Sequence, residues 1–495
     1  MSVIVNEVRK GFYLDSVALM RMSADIAASD GVDDAVMMIG TPSNKQIMAD
    51  AGLLNEEGER AGANDLVIAL RADSDGDANR AIAKAKKSLE GGTLKSAGNS
   101  VQPPTLASAC EQLPEANLAL VSTPGSYATR EAKAALRQGL NVMIFSDNVS
   151  LADEVELKQQ AERDGLLVMG PDCGTAIIGG RALAFANAVP QGNTAVIAAS
   201  GTGLQEFSVL LSRMGGGIRH AIGVGGRDLS DDVGAISTLM AIDLLAADPL
   251  VEQIVLISKP PGQTTASRVF DKLAASGKAA IACVFGYDAS SLPAEVAYAG
   301  TLKGAAELAV NAALPGNDTP TAQTLAAKLA PARKSIYGLY TGGTLCTEAQ
   351  IVMQQAGLSV KSNAPTPAAV ANAAHEIIDL GADEYTVGKP HPMIEPAVRT
   401  PSLQAAMTNN DVAVVLIDLV LGYGAHANPA QVVAEALTDA SVERPVVIAS
   451  VCGTAGDPQP LQEQIAILQD AGVIVCACNA DAAQLATDIA QLKSA

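Results

Sequence analysis

Two short runs of small residues carry the clearest chemistry in this chain. Ser200-Gly201-Thr202-Gly203 follows an apolar segment at 195–199 and precedes Leu204, Glu206 and Phe207 at helical spacing. Thr341-Gly342-Gly343-Thr344 repeats the plan after the apolar segment 336–340. A strand, a small-residue turn and a helix leave backbone N–H groups unsatisfied at a helix N-terminus. The partial positive charge there suits a phosphate or a carboxylate. The competing reading is a tight turn with a hydroxyl cap. Neither run has the Lys-Ser/Thr of a nucleotide P-loop, so ATP is not implied.

Three cations stand near such turns. Arg227 ends the run Gly223-Val224-Gly225-Gly226-Arg227, and a guanidinium can fork onto phosphate or carboxylate oxygens. The alternative is a surface Arg paired with Asp228 or Asp231. Lys259 precedes Pro260-Pro261 at a strand's carboxyl end, either touching an anion or simply solvated. Lys389 lies in Gly388-Lys389-Pro390-His391-Pro392-Met393, where two prolines restrict the backbone around His391. His391 can polarise a carbonyl or move a proton, or it fills a polar gap in a rigid loop. Asp379 and Asp418 interrupt apolar strands, where an unpaired carboxylate is costly; they orient backbone amides, cap a helix or pair with a buried Lys.

The elements that position these residues alternate. Apolar runs at 3–8, 35–40, 66–70, 118–122, 141–145 and 166–169 interleave with helical periods, which predicts parallel sheets covered on both faces. Thr123, Pro124 and Asn148 then fall in loops at strand carboxyl ends, where ligands bind in open α/β sheets. Sparse apolar content at 90–104 and at 314–333 marks linkers. The expected division is a small α/β unit at 1–95, a domain at 96–190, and two further domains at 191–315 and 330–495.

A chain of 495 residues exceeds one core. Its net charge of −20 argues against nucleic-acid or anionic-membrane partners, although a local helix terminus can still hold a small anionic substrate. Seven scattered Cys and four scattered His lack metal-ligand spacing, so neither zinc nor a secreted disulfide framework is expected. Cys173 reads as a small buried thiol. No apolar run approaches the ~20 residues that span a bilayer, and the first residues lack a signal peptide's apolar region. Cytoplasmic residence follows as the default.

GPDCGT at 170–175, SGTG at 200–203, GVGGRDL at 223–229 and ISKPPG at 257–262 resemble the α subunit of succinyl-CoA synthetase. TGGT at 341–344, IIDLG at 377–381, VLIDLVLGYG at 415–424 and QDAGVIV at 469–475 resemble the ligase domain of its β subunit. With DSVALM at 15–20 and GKPHPMIEP at 388–396, the single chain resembles the FdrA family. The resemblance implies a Rossmann-like CoA-binding-type domain followed by two flavodoxin-like domains. It also implies that Ser200–Gly203 and Thr341–Thr344 converge on one phosphate. Asp172, Gly225, Gly226 and Lys389 then join Thr123, Pro124 and Asn148 as a substrate or CoA edge. Tyr298 stands where the synthetase carries its phosphorylated His, Lys259 where it has an acidic partner, and no ATP-grasp domain is present.

Three functions compete. One is a subunit of a heteromeric oxamate carbamoyltransferase of ureide breakdown, with phosphate or carbamoyl phosphate as substrate and His391, Lys259 and Arg227 as catalytic candidates. Another is an acyl-CoA synthetase subunit whose nucleotide is handled by a partner, for which CoA binding stays open. The third is a non-catalytic scaffold of the same oligomeric complex.

Overall fold

A computed structural model describes residues 2–12, 14, 16–93, 103, 105–386, 390–437 and 444–494. The chain divides into two compact units, residues 1–101 with 383–395 and residues 102–382 with 396–495. In the first unit, β1 (Val3–Arg9), α1 (Ser16–Ala27), β2 (Val32–Ile39), α2 (Pro42–Asp50), α3 (Glu56–Glu59), β3 (Leu66–Ala72) and α4 (Asp75–Thr93) follow one another. Their alternation predicts a parallel sheet, and here the structure corrects the sequence. β3 lies between β1 and β2 and is antiparallel to both. A central strand covered on both faces reads as one apolar run whichever way its neighbours point. α1 and α4 bury Leu19, Ile26 and Ile82 against Ile68 and Leu70 on one face, while Met48 and Leu53 cover Val67 and Ala69 on the other.

The second unit opens with α5 (Leu106–Gln112), β4 (Leu118–Val121), α6 (Gly125–Arg137), β5 (Asn141–Ile144), α7 (Leu151–Asp164) and β6 (Val168–Met169). β4, β5 and β6 form a parallel sheet in chain order. A hairpin follows, β7 (Thr175–Ile178) and β8 (Arg181–Ala184), and it belongs to the next sheet. That sheet is built from β9 (Thr194–Ala198), α8 (Gly201–Arg213), β10 (Ile218–Gly223), α9 (Ile236–Ala247), β11 (Gln253–Ser258), α10 (Gln263–Ala274), β12 (Ala279–Val284) and β13 (Val296–Ala299). Its order is β13-β12-β11-β9-β10-β7-β8, parallel except at the hairpin.

After α11 (Leu302–Val310) and α12 (Ala322–Ala326) comes the last sheet. It uses β14 (Ser335–Tyr340), α13 (Gly343–Gln355), β15 (Val360–Ser362) and β16 (His375–Asp379). The chain next supplies α14 (Asp383–Thr386) to the first unit. It then completes the second unit with α15 (Thr400–Thr408), β17 (Val412–Val420), α16 (Pro429–Ala436), β18 (Val446–Cys452), α17 (Leu461–Asp470), β19 (Ile474–Cys476) and α18 (Asn479–Ser494). The order β15-β16-β14-β17-β18-β19 is wholly parallel. The protein is therefore an α/β structure of mostly parallel sheets flanked by helices.

These orders decide where a ligand can enter. β10 lies on one side of β9 and β11 on the other, so winding reverses at β9. It reverses again at β14, between β16 and β17. Reversal opens a crevice at the strand's carboxyl end. Both small-residue turns sit at such a point.

Candidate functional site

Ser200 is the N-cap of α8, and its Oγ accepts the Gly203 N–H at 2.9 Å. Gly342 caps α13 without a side chain. The two helices pack together within the second unit, and their starts meet: Ser200 Oγ and Thr344 Oγ1 are hydrogen-bonded to each other. The fit depends on missing Cβ atoms. One added at Gly203 lies 2.9 Å from Thr344 Cγ2, and one at Gly342 lies 2.9 Å from Thr202 Cβ. Ser200, Gly201, Thr202 and Gly343 are partly exposed, whereas Thr341 and Thr344 are buried. The N–H groups of Gly201, Thr202, Gly343 and Thr344 have no acceptor within their own helices, as helix geometry requires. Two positive helix ends thus share one partly open place.

Asp418, fully buried on β17, braces the second turn. It accepts the Thr341 N–H at 2.7 Å, the Thr341 hydroxyl at 2.9 Å and the Gly342 N–H at 2.8 Å. Arg399 donates to the same carboxylate at 2.8 Å. Asp379 closes a neighbouring turn by accepting the Gly381 N–H at 2.9 Å, and a Cβ at Gly343 would stand 2.7 Å from its Oδ2. Both carboxylates thus orient backbone, one of the roles that their positions in apolar strands suggest. Arg399 carried no sequence signal, because its partner lies on a strand that reaches it only through folding.

Behind the turns, Asn479 links the two helices. Its backbone N–H donates to Glu206 Oε1 on α8 at 3.2 Å, and Nδ2 donates to Glu348 Oε2 on α13 at 2.8 Å. Glu348 also accepts the Leu302 N–H at 2.7 Å. Burial raises both glutamates, Glu348 to about 7. Arg213 sits beside Glu206 and donates to the Ala477, Val451 and Gly453 carbonyls.

The cations have different fates. Lys259 follows β11 and is exposed at the same carboxyl edge as Ser200, since Ile257 accepts the Ala199 N–H at 3.0 Å. Arg227, read as an anion ligand or as a surface Arg paired with Asp228 or Asp231, donates to Glu154 at 2.9 Å and to the Val149 carbonyl at 2.8 Å, with nearly half of its side chain exposed. Glu154 in turn binds the fully buried Lys158, which reaches Asp228 at 2.8 Å. This network ties α7 to the loop after β10.

His391 belongs to the first unit, where its Nδ1 accepts the Met393 N–H at 3.2 Å. Burial lowers it to about 4, so at neutral pH the imidazole is uncharged with its proton on Nε2. Lys389 and Gly388 fall outside the described residues, as does Asp15. His220, His375 and His426 likewise accept backbone N–H groups through Nδ1, from Gly179, Ile336 and Asn428.

Thr123, Pro124, Asn148 and Asp172 follow β4, β5 and β6 and therefore share one sheet edge. Gly225 joins them, because a Cβ there would collide with the Pro171 carbonyl; Gly226 is exposed with open space beside it. Asn148 and Asp172 hold left-handed backbone, at φ 53° and 59°. Tyr298, on β13, donates its hydroxyl to the Val284 carbonyl at 3.3 Å, and burial raises the phenol further. Among the described residues, no group of His, Cys, Asp and Glu has the arrangement of a metal site. No helix among them is long and apolar enough to cross a membrane.

Residues 339–489 match the CoA-ligase family, and residues 1–104 match the AllF heavy metal-associated domain family. The latter segment contains neither Cys nor His. YahF, an uncharacterized protein of Escherichia coli strain K12, is 38% identical over 504 residues, covering 97% of each chain. The chain belongs to the YahF family. A 24% identity over 151 residues, 30% of this family member and 50% of the relative, links it to the succinate–CoA ligase (ADP-forming) α subunit of Methanothermobacter thermautotrophicus. The Thr344 side of the Ser200–Thr344 contact therefore lies in a CoA-ligase-like segment. Similar solved structures include dinucleotide-forming acetyl-coenzyme A synthetase 1 of Ca. Korarchaeum cryptofilum, with 16% identity, a TM-score of 0.30, and 76% and 83% of the two chains covered. ATP citrate lyase of Methanothrix soehngenii has 20% identity, a TM-score of 0.33, and 43% and 38% coverage.

Proposed function

We propose that this chain is an acyl-CoA synthetase-like transferase subunit that works on a diffusible phosphate held between α8 and α13. The observation that carries this reading is the hydrogen bond between Ser200 and Thr344, which joins two helix starts at two sheet reversals. Two converging helix ends favour a phosphate dianion, and Lys259 at the same edge adds a mobile positive charge.

The transferred group is, in this reading, a carbamoyl group, and the chain is the FdrA-type subunit of an oxamate carbamoyltransferase. Tyr298 supports transfer without a phosphoenzyme, since a neutral phenol donating to a carbonyl is a poor phosphate carrier. The chemistry closes without one. An oxygen of hydrogen phosphate attacks the ureido carbon of oxalurate and the carbon–nitrogen bond breaks. The phosphate's proton passes to the departing nitrogen, giving oxamate and carbamoyl phosphate. Helix N-termini stabilise the charge that gathers on oxygen during attack. The edge formed by Thr123, Pro124, Asn148, Asp172, Gly225 and Gly226 is the candidate place for the organic substrate or for CoA.

The test uses the complex isolated from the native source with its partner subunits. Carbamoyl phosphate should form from oxalurate and phosphate, and Ser200→Asp should abolish it while the circular dichroism spectrum stays unchanged. Turnover that instead requires CoA and ATP overturns the carbamoyl assignment. Full phosphate-dependent turnover by Ser200→Asp overturns the phosphate site.

A further inference from the structure

We propose that Arg399 and Asp418 are the positioning pair of the phosphate site, Asp418 shaping the Thr341–Gly342 turn and Arg399 cancelling the carboxylate's charge beneath the anion. The inference rests on the phosphate reading above and adds two residues that this reading does not use.

Asp418 faces a conflict. Its two oxygens hold the turn by accepting from Thr341 and Gly342, so the negative charge lies directly behind the helix start that is to receive an anion. An uncompensated buried carboxylate there repels a phosphate across a low-dielectric gap. Arg399 resolves this. Its Nη2 is 2.8 Å from Asp418 Oδ1, and the two side chains are 3% and 0% exposed, so solvent does not screen the pair. Among the described residues, Arg399 Nε and the buried Tyr340 hydroxyl have no hydrogen-bond partner, and the hydrogen bond to Asp418 is the one that holds the guanidinium. Such an incompletely satisfied buried cation is costly and needs a reason beyond packing. Neutralising Asp418 under an anion site supplies one.

Among the described residues, the other titratable groups around Asp418 and its turn include Tyr340, Cys346 and Glu206, with the Asp379 carboxylate of β16 behind Gly343. Burial raises Tyr340, Cys346 and Glu206, and none of them supplies a positive charge; burial raises Asp418 as well, and the Arg399 guanidinium beside it acts the other way, favouring the carboxylate. Among the described residues, Arg399 is thus the cation that compensates Asp418.

The experiment titrates inorganic phosphate into the full-length protein by calorimetry between pH 6 and 8, with thermal melts run in parallel. The forms compared are wild type, Arg399→Met, Asp418→Asn and the double variant. Arg399→Met should bind phosphate at least about tenfold more weakly than wild type at pH 8, and its deficit against wild type at the same pH should narrow as pH falls, because burial raises Asp418 and the variant lacks the cation that opposes this. The double variant has no charge to cancel but replaces one of the two oxygens that hold the turn, so at pH 8 it should bind more tightly than Arg399→Met and more weakly than wild type. A purely structural pair predicts instead that damage accumulates and that pH has no effect. If Arg399→Met fails to fold, Arg399→Lys restores the charge without the fork and should keep phosphate affinity within a few-fold. Arg399→Met with unchanged affinity, or a folded Arg399→Lys that loses binding, overturns the pair while the phosphate site stands. A wild-type protein that takes up no phosphate overturns the site itself, and the pair with it.

Discussion

Ser200 and Thr344, 144 residues apart in sequence, share a hydrogen bond between their side-chain oxygens. Each hydroxyl belongs to the first turn of a helix, so the bond sets how far apart two positive helix ends stand. Thr344→Val keeps the shape and removes the hydroxyl. It should cost about 1 kcal/mol of stability in thermal melts and weaken phosphate binding several-fold. Wild-type affinity in this variant would show that the contact merely joins two helices.

Close approach of the helix starts should be as sensitive as their polarity. Gly203→Ala brings a Cβ to 2.9 Å from Thr344 Cγ2 and 2.7 Å from Ser200 Oγ, so α8 and α13 must separate. A loss of about 1–3 kcal/mol is expected, together with reduced phosphate affinity. Gly316→Ala meets nothing within 4 Å and serves as the control.

Glu348 makes stability depend on pH. Burial pushes its carboxyl from the usual range up to about 7, so between roughly 4.5 and 7 the folded state binds more protons than the unfolded one. Stability contributed by this group is present below that window and falls as pH rises through it, by on the order of 3 kcal/mol. Glu348→Gln should flatten the curve, and the difference between the two proteins isolates the group. The opposite sign holds for His391, lowered to about 4, whose contribution grows as pH rises between 4 and 6.5. Parallel curves for wild type and Glu348→Gln would contradict the assignment.

For His391 the same lowering has a kinetic consequence. Turnover should show no limb near pH 6.5 that disappears in His391→Gln, because the imidazole is already neutral there. A limb abolished by that substitution would mean the side chain titrates normally.

Lys158 should matter more than Arg227. Lys158 is wholly buried between Glu154 and Asp228, and Lys158→Met leaves both carboxylates short of a cation. A destabilisation of about 3–5 kcal/mol is expected in denaturant unfolding. Arg227 is half exposed, and Arg227→Ala should cost about 1 kcal/mol or less. Phosphate affinity should survive Arg227→Ala, which separates an anchor from an anion ligand.

Much of the site is local information. The apolar runs 195–199 and 336–340, each ending in small residues before a helical period, carry strand, turn and helix in adjacent residues. Asp379 and Asp418 announced themselves as carboxylates in apolar strands, since burying a charge demands a partner. Other parts needed distant partners. The direction of β3, the hairpin β7–β8 and the diversion of Arg227 to Glu154 depend on contacts that no run of residues encodes.

By itself, the sequence determined that strands alternate with helices and that two helix starts are built from glycine and hydroxyl residues. Those properties follow from hydrophobic period and from glycine and hydroxyl chemistry at single turns. Only the tertiary structure decided that both turns fall where a sheet's winding reverses, that Ser200 meets Thr344, and that Arg399 lies under Asp418. Strand order and helix packing arise from burial shared among segments hundreds of residues apart, so an unpaired Arg in the sequence becomes half of a buried ion pair only in the fold.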